Sequence, residues 1–118
     1  MSTIIASNIS DGTTSVPSTY VVNGSAKAWV NFNGQGAVAI YDSFNVSSLT
    51  DVSTGRTLTN FTNNMSNGNY SVTGWDWSWG VGWFNSPQVQ FADITRANSS
   101  FQALDVAMVT VTINGDLA

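Results

Sequence analysis

The chain predicts an all-β fold, a small antiparallel β-sandwich or jelly-roll-like domain with an N-terminal arm. Three observations point there. The composition is poor in strong helix formers, with no Glu at all, and rich in β-branched residues, with 10 Gly, 6 Phe, 5 Trp and 3 Tyr. Several stretches alternate apolar and polar residues with period two. Turn signals recur about every 8–12 residues, the spacing of sandwiches and small barrels. At 118 residues the chain makes one domain, long enough for a core but near the size where oligomerisation adds useful burial.

Residues 1–17 read as the arm, an assembly segment. Ile4, Ile5 and Ile9 are its anchors, and Ser10-Asp11-Gly12-Thr13-Thr14-Ser15 is turn and linker chemistry. The sandwich proper spans 18–118. Thr19-Tyr20-Val21-Val22 reads as its first strand, closed by an Asn23-Gly24 turn. Over 27–33, Ala28, Val30 and Phe32 share one face while Lys27, Trp29, Asn31 and Asn33 share the other. Gly34-Gln35-Gly36 turns the chain into a strand over 37–46, so the pair reads as a hairpin. In that strand Val38, Ile40, Phe44 and Val46 face one way, with Asp42 interrupting.

Residues 51–55 are another turn. Over 56–62, Leu58 and Phe61 lie three apart, which breaks alternation and predicts a β-bulge. Residues 63–69 form a polar loop interrupted by Met65. After Pro87, Gln88-Val89-Gln90-Phe91 alternates as a strand, and 96–100 is a loop. The last strand, 106–114, sets Val109, Val111 and Ile113 against Met108, Thr110 and Thr112. It is the cleanest period-two signal in the chain.

One stretch dominates the apolar area. Residues 75–84 hold four of the five tryptophans. In one extended strand Trp75, Trp77, Trp79, Val81 and Trp83 share a face. Two roles compete for this ladder. The rings fill a core or subunit interface, the default for large apolar side chains. Alternatively they stack on the C–H faces of sugars, with Asp76, Ser78 and Asn85 bonding to hydroxyls. Burial is the first expectation and a ligand platform the second.

Charge narrows the partners. Only 8% of residues are charged, against about 25% in ordinary globular proteins. Net charge is −4, with Lys27, Arg56 and Arg96 the only cations, so no basic patch forms for nucleic acid. No apolar run approaches a membrane span, and residues 1–6 lack the basic and apolar regions of a signal peptide.

Catalytic chemistry is scarce. There is no His and no Cys, which removes the commonest general base, the thiol nucleophile and the usual zinc ligands. A carboxylate pair for glycoside hydrolysis would have to come from Asp42, Asp51, Asp76, Asp93 and Asp105, residues that read as turn formers. Asp51-Val52-Ser53-Thr54-Gly55 lacks the dense acidic spacing of a calcium loop. No phosphate-binding glycine motif occurs. The expectation is a protein without enzymatic activity, cofactor or metal.

The run Ser25-Ala26-Lys27-Ala28-Trp29-Val30-Asn31-Phe32-Asn33-Gly34, then Ala37-Val38-Ala39-Ile40 and Ser43-Phe44-Asn45-Val46-Ser47-Ser48, resembles a small domain of bacteriophage tail-fibre-like and other virion proteins, notably of marine phages. The likeness continues through Asn60-Phe61-Thr62, Met65, Asn69-Tyr70 and the closing Ile113-Asn114-Gly115-Asp116-Leu117-Ala118. It implies a virion component, commonly a homotrimer, that meets other capsid or tail proteins and, at a fibre or spike tip, a host-surface glycan. A capsid decoration (cement) protein and a free carbohydrate-binding module are the alternatives.

Overall fold

The computed structural model describes residues 1–76, 81–84 and 87–118, with 81–84 described by backbone alone. The chain opens with a short hairpin, β1 (Asn8–Ser10) and β2 (Ser15–Pro17), in which Ile9 lies opposite Val16. Asp11 shapes the loop between them. Its carboxylate accepts the N–H groups of Thr13 at 2.9 Å and Thr14 at 2.7 Å, an Asx-turn arrangement. The backbone bond from Thr14, then that from Thr13, holds the Asp11 carboxyl below its usual value.

A seven-residue helix follows, α1 (Ser18–Gly24), where the sequence predicts a strand at 19–22. Local chemistry accounts for the difference. Pro17 fixes the entry with a φ of −55°. The closing carbonyls are occupied: the Ser25 N–H and hydroxyl both donate to the Val21 carbonyl, and the Lys27 ammonium donates to the Val22 carbonyl. No residue of α1 is buried.

The remaining strands are β3 (Ala28–Asn33), β4 (Ala39–Phe44), β5 (Val46–Ser53), β6 (Arg56–Phe61), β7 (Ser71–Asp76), β8 (Val81–Phe84), β9 (Phe91–Ala97) and β10 (Val109–Asn114). They form two four-stranded antiparallel sheets, ordered β4-β3-β10-β7 and β5-β6-β9-β8. Ala28, Val30, Phe32, Val109, Val111 and Ile113 from the first sheet meet Phe61, Ala92 and Ile94 from the second in one core. Met65 and Val106 complete it from the connections. This is the all-β fold that the composition predicts, built as two facing layers.

The period-two reading of β3 and β10 holds side chain for side chain. Three other expectations are corrected. The strand over 37–46 is two strands in different sheets: Asn45, at a φ of 56°, turns the chain from β4 into β5. Its side chain stabilises the crossing, donating to the Lys27 carbonyl at 3.0 Å and the Asn63 carbonyl at 3.1 Å. In β4, Ile40 pairs with Phe32 but Asp42 pairs with Asn31, so the extra residue Tyr41 flips the phase and sends Phe44 outward.

The bulge expected over 56–62 lies on the opposing strand. β6 alternates strictly, with Thr57, Thr59 and Phe61 inward and Leu58 outward, and the register shifts fall along β5. The strand expected at 88–91 is in fact β9, which begins at Phe91 and carries Arg96 inside the fold rather than on a loop. The β5–β6 turn needs glycine: Gly55 has a φ of 72°, and a Cβ there would lie 2.7 Å from the Arg96 carbonyl oxygen and the Leu104 nitrogen.

Register gives the sandwich two distinct ends. Residues 1–24 enter at one, where β3 starts and β10 finishes; there Asn114 donates to the Gly24 carbonyl at 3.0 Å. The Gly34–Gly36 turn, the Gly55 turn and the 98–105 loop lie at the other. Asp76 and Val81, which flank residues 77–80, also lie at that far end, opposite Val109 and Ala97.

Candidate functional site

The tryptophan ladder does not form one strand. Trp75 lies in β7 of the first sheet and Trp83 in β8 of the second, so the two share no face. Trp83 is opposite Thr95 in the register. Trp77, Trp79 and Asn85 lie outside the described residues. Trp75 is 68% exposed and lies opposite Thr110. Asp76 is 7% exposed and lies opposite the core residue Val109, so its carboxylate points inward and is no hydroxyl-binding group beside the ladder.

A different aromatic surface emerges in its place. The outer face of the β4-β3-β10-β7 sheet carries Phe44, Trp29, Thr112 and Thr73 in one cross-strand row. The next row holds Asp42, Asn31, Thr110 and Trp75. Trp29 is 36% exposed and Phe44 55%. Sequence alternation separates Trp29 from Ala28, Val30 and Phe32, but Phe44 reaches this face only through the Tyr41 bulge, which no local pattern announces.

Ile4, Ile5 and Ile9, expected from the sequence to anchor an assembly arm, are exposed. Ile4 and Ile5 are each 95% exposed. Ile9 and Val16 form an exposed apolar pair on one side of the hairpin, and Tyr20, Val21 and Val22 are exposed on α1. A depression lined by Thr19, Tyr20, Asn23 and Gly24 lies beside that helix. Throughout residues 1–24 only Ser18 is even half-buried.

Inside the far end is a polar cluster that alternation does not reveal. Arg96 is 2% exposed. Its guanidinium sits 5.5 Å from the centre of the Phe32 ring, donates to the Thr57 hydroxyl at 3.2 Å, and lies 4.0 Å from the Asp105 carboxylate. Burial pulls its pKa down, opposed by Asp105, then Asp76 and Asp51. Gly34 makes the room: a Cβ there would lie 3.1 Å from the guanidinium. Asp105 also accepts the Gly55 N–H at 2.6 Å, tying the 98–105 loop to the β5–β6 turn.

On the opposite side of the second sheet, Arg56 grips Asp93 with two bonds of 3.0 and 2.6 Å. The Asp93 hydrogen bond and charge raise the Arg56 pKa. Asp93 is 2% exposed, so this is a structural pair and offers no open carboxylate for acid–base work. Tyr70 packs edge-on against Phe61 at 5.9 Å and donates to the Phe91 carbonyl at 2.7 Å. Burial raises its pKa from 10.0 to about 12.

Among the described residues no three or more His, Cys, Asp and Glu gather where they would hold a metal ion. No described helix is long and apolar enough to cross a membrane. Two exposed apolar features stand out among the described residues, a projection at one end and an aromatic sheet face beside it. Comparisons with protein-family models, curated proteins and solved structures find no match for this chain.

Proposed function

We propose that this chain is a non-enzymatic structural protein of a bacteriophage virion, lying on the particle exterior and assembled through residues 1–24. The observation that supports this is the state of that segment. It folds into a hairpin and a helix yet buries nothing against its own sandwich. A lone two-stranded hairpin and a seven-residue helix are marginal in water, so both need a neighbour. That is the behaviour of an assembly segment. The resemblance of residues 25–48 to virion domains supplies the particle and the trimeric expectation.

In this reading the sandwich is a fibre- or spike-tip-like module. The segment docks at one end, and the far end, with the Gly34–Gly36 turn and the 98–105 loop, faces the host surface and its glycans. A second reading, a decoration protein clamping a capsid shell, is favoured by the same exposed isoleucines, which would serve equally on a shell. Electron microscopy of intact particles labelled with an antibody to the sandwich tests both. Label at the tail tip supports the first reading, and a regular lattice over the head supports the second. Particles that carry none of the protein overturn the virion assignment.

A further inference from the structure

We propose that residues 1–24 dock on the outer face of the β4-β3-β10-β7 sheet of a second copy of this chain. The inference rests on the assembly reading above and names the partner. Its first support is area. The chain exposes 7325 Å², whereas a compact monomer of 12.6 kDa exposes about 6,200 Å². The excess, about 1,100 Å², exceeds the roughly 800 Å² that one partner buries in a standard stable interface. Shape agrees. The radius of gyration is 16.3 Å, against about 13.5 Å for a compact chain of this length.

The second support is that one chain carries two exposed apolar surfaces that do not meet each other. The projection is apolar along Ile4, Ile5 and the Ile9–Val16 pair. The sheet face offers Trp29, Phe44 and Trp75. Charge raises no barrier: Asp11 is the only charged side chain in residues 1–24, and Asp42 the only one in the two rows of the face.

The third support is position. The projection leaves the sandwich beside the Trp29 row, yet Ile4 and Ile5 remain in solvent and the face stays open. A surface given by one copy to a different surface of the next either pairs reciprocally about a twofold axis, closes as a ring or, where the rotation does not close, runs on as a filament. Each copy then covers both its projection and its aromatic face. Association exceeds the gain of either alone because the hairpin and α1 acquire the packing they lack.

The test uses the full chain by itself, with no other virion component. Its solution mass by light scattering is expected at two or more times 12.6 kDa. The double variant Ile9→Asp/Val16→Asp and the face variant Trp29→Ser/Phe44→Ser are each expected to run as monomers with unchanged circular dichroism. Mixing the two monomeric variants restores association, because one keeps an intact face and the other an intact projection. A monomeric full chain overturns the proposal while leaving the virion reading standing, with the segment docked on another protein. A variant that still self-associates, or mixed variants that stay apart, also overturns it. Should a face variant misfold, the Trp75→Ser chain, altered at a site 68% exposed, replaces it in the same mixing experiment.

Discussion

β3 and β10 bury Ala28, Val30, Phe32, Val109, Val111 and Ile113 to 2% exposure or less, while residues 1–24 bury nothing. Both regions are rich in Val and Ile, so composition does not separate them. What separates them is company. In the sandwich the inward-facing apolar residues have a second sheet to meet, and in the segment none has. Hydrophobic side chains are thus buried in one region and left exposed in the other, and the proposed association would cover the second on the same physical footing as folding covers the first.

The largest way to break that contrast is to damage the sandwich. Phe32→Ala removes the ring from the centre of the core and from beneath the Arg96 guanidinium. A loss of about 3–5 kcal/mol is expected in denaturant unfolding. An unchanged midpoint would show that Phe32 is not the keystone its burial suggests.

High pH probes the same region less severely. Tyr70 has a folded pKa of about 12 against an ordinary 10.0. A raised folded value means its contribution is complete below pH 10.0 and is lost as pH climbs through about 12. Because the ring is half-buried, screening limits the loss to about 1–2 kcal/mol. Comparing thermal unfolding of the parent with Tyr70→Phe across that window checks it; the variant should lose this pH dependence.

The smallest effect falls on the segment. Asp11 has a depressed carboxyl, so its hold on Thr13 and Thr14 is present above the ordinary carboxylate value of 3.8 and is released as pH falls through the lower folded value. Amide exchange at Thr13 and Thr14 should quicken there before the β3 and β10 amides respond. Simultaneous loss in both regions would show that hairpin and sandwich unfold together, against the independence described above.

Much of the sandwich was legible in the sequence because its central strands are half-buried and obey period two. Alternation separated Val30 and Phe32 from Trp29 by residue order alone, and the structure shows that the first pair faces the core. It failed where the phase changes without a marker. Tyr41 inserts one residue and reverses Phe44. Thr57 and Thr59 lie inward because strand register and the anchor at Phe61 override side-chain polarity. The threonines still have methyl groups to bury, and Thr57 gains the Arg96 bond.

The candidate site was less legible. Repeated tryptophans at odd positions suggest one continuous strand, but β7 and β8 belong to different sheets. Only topology reveals that, and topology depends on the whole chain. Ile4, Ile5 and Ile9 were singled out as apolar residues beside turn chemistry, and the structure leaves all three exposed. The helix at α1 was not readable, because β-branched residues favour strands until a proline entry and a capped exit decide otherwise.

The place where residues 1–24 join the sandwich also bears on mechanical load. The segment continues through Lys27, bonded to the Ile113 carbonyl at 2.8 Å, directly into β3. That strand is clamped on both flanks, by β10 and β4, with five register pairs on each side. Ladder bonds between antiparallel strands run perpendicular to the strand axis. A pull transmitted through the segment therefore shears both ladders at once instead of peeling them bond by bond. A load transmitted through this segment would fall on a strand held along both edges.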